Sequence, residues 1–110
     1  MDKILTVEFS ERGIAVPDMV AEAWVKTTWG EFLYKFDKEE RDDYRVTVGT
    51  ITMWDMFRLM VLEGIIPVES IQFKFKDEIL KHDANGRLAK WPDEMCAHDS
   101  VMERMLLNTI

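Results

Sequence analysis

Apolar and polar residues alternate in several short stretches of the chain, and this two-residue period is typical of β-strands with one buried face. In residues 3–10 every second side chain is apolar, and residues 44–50 repeat the pattern. The clearest alternation lies in residues 71–76, where three large apolar residues alternate with one glutamine and two lysines. We therefore predict three strands at these places.

Residues 31–37 fit two different periods. Every second side chain is aromatic, which favours a strand, but the same apolar side chains also fit a helix that continues from Trp29. The aromatic content and the preceding Gly30 favour the strand. We therefore expect a strand here, joined to the strand at residues 44–50 by a charged loop over residues 37–43.

Two other stretches carry apolar residues at helical spacing. The first begins at Pro17, because proline suits the first turn of a helix, and it ends at Gly30. The second covers residues 53–63 and follows Thr52, which resembles the start of a capping box with Asp55. The sequence thus predicts one helix before and one helix after the central strands.

The dipeptide Asn85-Gly86 is a strong hairpin signal, because both residues tolerate the positive φ that a two-residue type I′ turn requires. We expect it to join short strands over residues 79–83 and 87–90. A second capping-box pattern, which starts at Ser100, predicts a C-terminal helix.

The predicted elements follow the order β-α-β-β-α-β, which is the ferredoxin-like order, and continue with a β-hairpin and a C-terminal helix. A chain of 110 residues is expected to form one domain, so residues 1–110 are predicted to be a single two-layer α+β domain. This order of elements is shared by many unrelated functions and says nothing about activity.

The charge and composition of the chain argue against several classes of protein. The chain has 21 acidic and 14 basic residues, a net charge of -7, which argues against direct binding of nucleic-acid phosphates. No apolar run approaches the roughly 20 residues of a membrane span. One cysteine excludes an internal disulfide, and the N-terminal apolar run is too short for a signal peptide. We expect a cytoplasmic protein.

The residues that usually carry catalysis or bind metals are few and poorly spaced. His82 and Asp83 are neighbours in a predicted strand, so their side chains point to opposite faces. Cys96 and His98 are two residues apart, which does not bring them together on a helix. All five glycines are isolated, so no phosphate-binding loop is present. We expect no enzyme activity, no cofactor and no metal.

The predicted loop over residues 37–43 carries five carboxylates in seven residues and forms an acidic tip. It lacks the residue spacing of a calcium loop. It is either a solvated loop or a surface that steers a basic protein partner. The candidate partner-binding residues are Asp37, Glu39, Glu40, Asp42 and Asp43.

The second predicted helix, residues 53–63, is apolar around most of its circumference, and Asp55, Arg58 and Glu63 are its few polar residues. A helix that packs on one sheet needs an apolar stripe of only about 100°. Either this helix is enclosed within one chain, or another chain covers its surplus apolar face. We expect a homo-oligomer in which four residues lie between subunits: Trp54, Met56, Met60 and Val61.

These observations favour a non-catalytic, acidic protein-binding domain that masks a surface of a basic or nucleic-acid-handling protein. Small acidic inhibitors encoded by phages or mobile elements, and immunity proteins to toxins, have a similar composition. The alternative is a domain that binds a nucleotide or metabolite. Its pocket would lie between subunits, or between the helices and the sheet face of Phe73 and Phe75. An enzyme is the third hypothesis.

Overall fold

The computed structural model describes residues 4–39 and 43–90 of the chain. Its strands and helices follow in the order β1 (Ile4–Ile14), α1 (Asp18–Glu39), β2 (Asp43–Val48), α2 (Ile51–Leu62), β3 (Ile71–Phe75) and β4 (Glu78–Leu80). A short 3-10 helix, Val68–Ser70, precedes β3. The described part is a small α+β domain, which confirms the predicted class.

The four strands form one mixed sheet in the spatial order β2-β1-β3-β4. The central strand β1 is parallel to both β2 and β3, while β4 is antiparallel to β3. Along the chain, the described elements therefore follow the order β-α-β-α-β-β. The predicted ferredoxin-like order is not reproduced, and the predicted C-terminal helix lies outside the described residues.

The difference in order comes from residues 31–37, where the predicted strand is wrong because α1 continues through them. The burial of Phe32 favours the helix over the strand. Its ring packs edge-on against Tyr44 of β2, with centroids 6.1 Å apart. It also stacks on Trp29 at 4.9 Å. The apolar face of α1 therefore repeats at helical spacing across Gly30, through Ala21, Val25, Trp29 and Phe32.

Both helices pack on one face of the sheet. This face is apolar because the in-register residues of the strands share it: Leu5, Val7 and Phe9 of β1 with Tyr44, Val46 and Val48 of β2 and Ile71, Phe73 and Phe75 of β3. The opposite face is polar, where Gln72 Nε2 donates a hydrogen bond to Thr6 Oγ1 at 2.8 Å. Lys74 Nζ also lies 3.7 Å from Glu8 Oε2 on that face.

Helix α2 is enclosed within the single chain. Trp54, Met60 and Val61 belong to its core, with exposed fractions of 0%, 3% and 3%, and the half-buried Met56 packs against that core. Three of the four residues predicted to lie between subunits are thus covered within one chain, while Met56 stays partly exposed. Self-association itself stays a prediction.

The N-terminus of α2 differs in detail from the prediction. The helix begins at Ile51, and the capping residue is Thr50, whose Oγ1 accepts a hydrogen bond from the Met53 backbone N–H at 3.2 Å. The predicted capping box of Thr52 and Asp55 is therefore wrong, because both residues lie inside the helix. Asp55 has another partner.

That partner is Arg58, a fully buried arginine on α2. Its Nη1 donates to Asp55 Oδ1 at 3.1 Å, and its Nε donates to the Gly86 carbonyl oxygen at 2.7 Å. A Cβ at Gly86 would lie 2.9 Å from the carbonyl carbon of Arg58. The loop that contains Gly86 therefore packs directly on the α2 backbone, which only glycine permits.

This loop is wider than the predicted two-residue turn. The Gly86 N–H donates to the Asp83 carbonyl oxygen at 3.0 Å, and of Asn85 and Gly86 only the glycine has a positive φ. Asp83 Oδ1 accepts from the backbone N–H groups of Asn85 and Arg87. The flanking strands are also shorter than predicted, since β4 ends at Leu80 and a single bridge pairs His82 with Leu88.

Two glycines on the surface of the helices give a matched test of the fold. Gly30 lies within α1 and Gly64 follows α2 with φ +78°, and a Cβ at either position would meet no atom within 4 Å. Gly30→Ala should raise the free energy of unfolding by about 0.5–1 kcal/mol, because alanine suits a helix interior better than glycine.

Gly64→Ala is the control and should lower that free energy by about 1 kcal/mol, because an L-residue is strained at positive φ. Urea denaturation of both variants measures the difference. A loss of stability in Gly30→Ala would contradict a continuous helix through residues 31–37.

Candidate ligand-binding crevice

The chain leaves the neighbouring parallel strands β1 and β3 in opposite directions. After Phe9, β1 runs toward β2, where the Gly49 N–H donates to the Ile14 carbonyl oxygen at 2.6 Å. After Phe75, the chain turns the other way and pairs Glu78 of β4 with Phe75. In open α/β sheets, ligands bind at the carboxyl ends of strands where the connections diverge in this manner.

A crevice of about 530 Å³ opens at this point of divergence. Two short segments line it, one from β1 and one from the end of β3 and the following loop: Glu8, Phe9, Ser10, Glu11 and Arg12, and Phe75, Lys76 and Asp77. Its volume falls within the range of about 300–1,000 Å³ that is usual for small-molecule sites.

Two aromatic rings form the apolar part of the crevice. Phe9 and Phe75 are the last in-register pair of β1 and β3, and their rings stack with centroids 6.1 Å apart and an interplanar angle of 29°. Phe9 also contacts the buried Trp54 edge-on, at 6.4 Å. The aromatic pair is therefore held on one side by the core, although both rings reach the crevice.

Charged side chains of both signs surround this aromatic pair. Glu8, Glu11 and Asp77 supply three carboxylates, while Arg12 and Lys76 supply two positive charges. Glu8 is the least exposed of the carboxylates, because it lies beside Lys74 on the polar face of the sheet. Two of the eight lining residues are apolar and six are polar or charged, so the crevice is more polar than the usual small-molecule site and its apolar surface consists of the two phenyl rings.

Lys76 has an unusual backbone. It is the only non-glycine residue with positive φ in the described part of the chain, at 54°. With Asp77 it forms the two-residue loop between β3 and β4, and a positive φ at the first loop position alone is typical of a type II′ turn, which favours glycine there. Such a conformation costs about 1–2 kcal/mol for an L-residue.

The side chain of Lys76 turns back over the crevice. Its Nζ lies 5.7 Å from the centroid of the Phe75 ring, within the range of a cation–π interaction. Strained backbone is found most often at ligand sites and active sites, so the conformation of Lys76 makes this end of the sheet a candidate site.

The predicted acidic tip is shorter than expected, because Asp37 and Glu39 belong to the end of α1 and Asp43 begins β2. Glu40 and Asp42 lie outside the described residues, as do Cys96 and His98. The partner-binding role of the acidic tip stays a prediction.

His82 and Asp83 have structural contacts rather than contacts with each other. His82 Nε2 donates to the Val68 carbonyl oxygen at 2.9 Å, and its ring meets Phe73 edge-on at 5.2 Å. Asp83 accepts backbone hydrogen bonds in its own loop. Residues 4–39 and 43–90 contain no group of three or more His, Cys, Asp or Glu side chains that is able to hold a metal ion.

The sequence did not predict this crevice. The alternating pattern placed Phe75 on the inner face of a strand, but it treated Lys76 as an outward residue of that strand. A lysine–aspartate pair is not a strong turn signal, unlike Asn-Gly. One signal was present: the alternation stops at Lys76, and Asp77-Glu78 interrupts the apolar series.

Lys76→Gly should raise the free energy of unfolding by about 1 kcal/mol, because glycine accepts the positive φ without strain. Asp77→Gly is the matched control in the same loop. Its φ is not positive, so it should give no gain. Thermal and urea denaturation of the two variants measure the difference, and equal stabilities of Lys76→Gly and wild type would contradict the strained loop.

Within the described segments, no helix has the length and apolar character needed to cross a membrane. Comparison of the chain with protein-family models, with curated proteins and with solved structures finds no match in any of the three.

Proposed function

We propose that the protein binds a small molecule in the crevice between the carboxyl ends of β1 and β3. The observation that supports this proposal most is the position of the crevice, where the connections of two parallel strands diverge. The strained Lys76 at its edge is a second, independent reason.

The ligand would place an apolar group against Phe9 and Phe75 and a charged group beside the surrounding side chains. The site would bind without converting its ligand. Among the residues that line the crevice there is no histidine or cysteine, and Ser10 is the one hydroxyl. Its Oγ accepts a hydrogen bond from the Arg12 backbone N–H at 3.3 Å, and no histidine lines the crevice to activate it as a nucleophile.

Two-dimensional NMR with a panel of small ring compounds tests this function. The panel holds cationic, anionic and neutral members of similar size. At least one class should shift amide resonances in residues 8–12 and 75–77 and leave those of α1 unchanged. Phe75→Leu should weaken that binding by about 1 kcal/mol, because it removes the contact between the ring of the compound and the ring of Phe75.

Leu33→Ala, at an exposed position on α1, is the control and should leave the binding unchanged. If no class of compound shifts the crevice resonances at millimolar concentration, ligand binding at this place is ruled out.

A second candidate function is the acidic protein-binding domain, located in the cytoplasm and encoded by a phage or mobile element. It would mask a surface of a basic protein. The net charge of -7 and the concentration of carboxylates where the chain passes from α1 to β2 favour it. Opposite charge mainly speeds the encounter of two proteins.

A charge-matched pair of variants tests that candidate, with a 20-residue lysine peptide as the probe. The first variant reverses the acidic tip with four lysines, at Glu39, Glu40, Asp42 and Asp43. The control reverses four exposed carboxylates elsewhere, at Glu22, Glu63, Glu69 and Glu78. Both change the net charge equally.

We expect the tip variant to associate with the peptide at least several-fold more slowly than the control in stopped-flow measurements at low salt. Equal association rates would mean that the net charge alone acts, and that the tip is a solvated segment.

A further inference from the structure

The crevice already contains a contact that indicates the chemistry of its ligand. The Lys76 ammonium lies over the face of Phe75, 5.7 Å from the ring centroid, although its backbone is strained there. We propose that the crevice selects small organic ammonium ions, and that the ammonium of such a ligand takes the place of the Lys76 ammonium. This inference rests on the proposed ligand-binding function.

The electrostatics of the aromatic ring support a cation. The face of a phenyl ring carries the negative part of its quadrupole, so it attracts an ammonium and repels an anion. The Phe75 ring lines the crevice, and its stacking partner Phe9 is itself held against Trp54. A ligand that contacts the ring face is therefore favoured when it carries positive charge.

The charged side chains point to the same ligand class. Three carboxylates line the crevice, on Glu8, Glu11 and Asp77, and they come from both of its sides. The two positive charges lie on different segments, since Arg12 belongs to β1 and Lys76 to the loop after β3. Glu8 is paired with Lys74, so once a ligand displaces the Lys76 ammonium into solvent, the two carboxylates of Glu11 and Asp77 remain beside one cation, Arg12.

The net charge of the whole protein also favours a cationic ligand. A net charge of -7 raises the local concentration of cations and lowers that of anions. A small quaternary or protonated amine with an apolar part therefore fits the site better than a phosphate or carboxylate ligand does.

Choline and its uncharged isostere 3,3-dimethylbutan-1-ol are the probes that isolate the charge, with inorganic phosphate as the anion. NMR titration should show that choline binds at residues 8–12 and 75–77 more tightly than the isostere, by roughly 2- to 5-fold, because a cation–π contact at an exposed site contributes that much. Phosphate should not shift these resonances.

Lys76→Gly separates this inference from a general preference for cations. The variant removes the competing ammonium, so it should tighten choline binding by roughly 2- to 5-fold. Binding of the isostere should tighten less, because only choline is also freed from repulsion by that positive charge. Lys81→Gly is a charge-matched control at an exposed lysine outside the crevice, and it should change choline binding less than Lys76→Gly does.

The outcomes distinguish the two proposals. Equal affinity for choline and the isostere, or tighter binding of phosphate, would overturn the ammonium preference while the crevice remains a ligand site. Weaker choline binding in Lys76→Gly would also overturn it, because Lys76 would then assist the ligand. If neither these probes nor any member of the ring-compound panel shifts the crevice resonances, the proposed function fails together with this inference.

Discussion

The buried guanidinium of Arg58 is the constraint on which the arrangement of α2 depends. Arg58 has an exposed fraction of 0%. Removing the partner of such a buried charge costs about 3–5 kcal/mol of stability, because the charge is then left uncompensated. Arg58 finds one partner on its own helix, Asp55, and another in the carbonyl of Gly86. The loop after β4 is thereby fixed to the helix, at a position where a side chain at Gly86 would overlap the helix backbone.

The position of α2 in turn supports the crevice, although none of its residues lines that site. Trp54 packs against Phe73 at 5.1 Å and against Phe9 at 6.4 Å, and Phe9 stacks on Phe75. A series of ring contacts thus connects the buried helix to the aromatic surface of the crevice. Since closely packed side chains move little independently, a shift of α2 would be felt at Phe75.

The sequence predicted the parts of the fold that follow from a local pattern of apolar residues. The prediction failed where contacts between residues far apart in the chain determine the structure. The alternation placed β1, β2 and β3, and the helical spacing of apolar residues placed α2, each to within a few residues. It could not decide residues 31–37, because both periods fit and the contact of Phe32 with Tyr44 is decisive. Nor could it predict the crevice, since that depends on β1 lying between β2 and β3, a spatial order that alternation does not record.

The central place of β1 also governs how the chain reaches its folded state. Its neighbours are strands that begin at Asp43 and Ile71, so β1 must await partners that lie far along the chain. Parallel pairing of strands so far apart in sequence requires long loops to close. The entropy of loop closure is lost before the strand contacts form, and this slows folding. During synthesis, the edge of β1 that pairs with β2 stays open until Val48 has left the ribosome, and the edge that pairs with β3 stays open until Phe75 has. An unpaired strand edge is open to aggregation or to a chaperone during that interval.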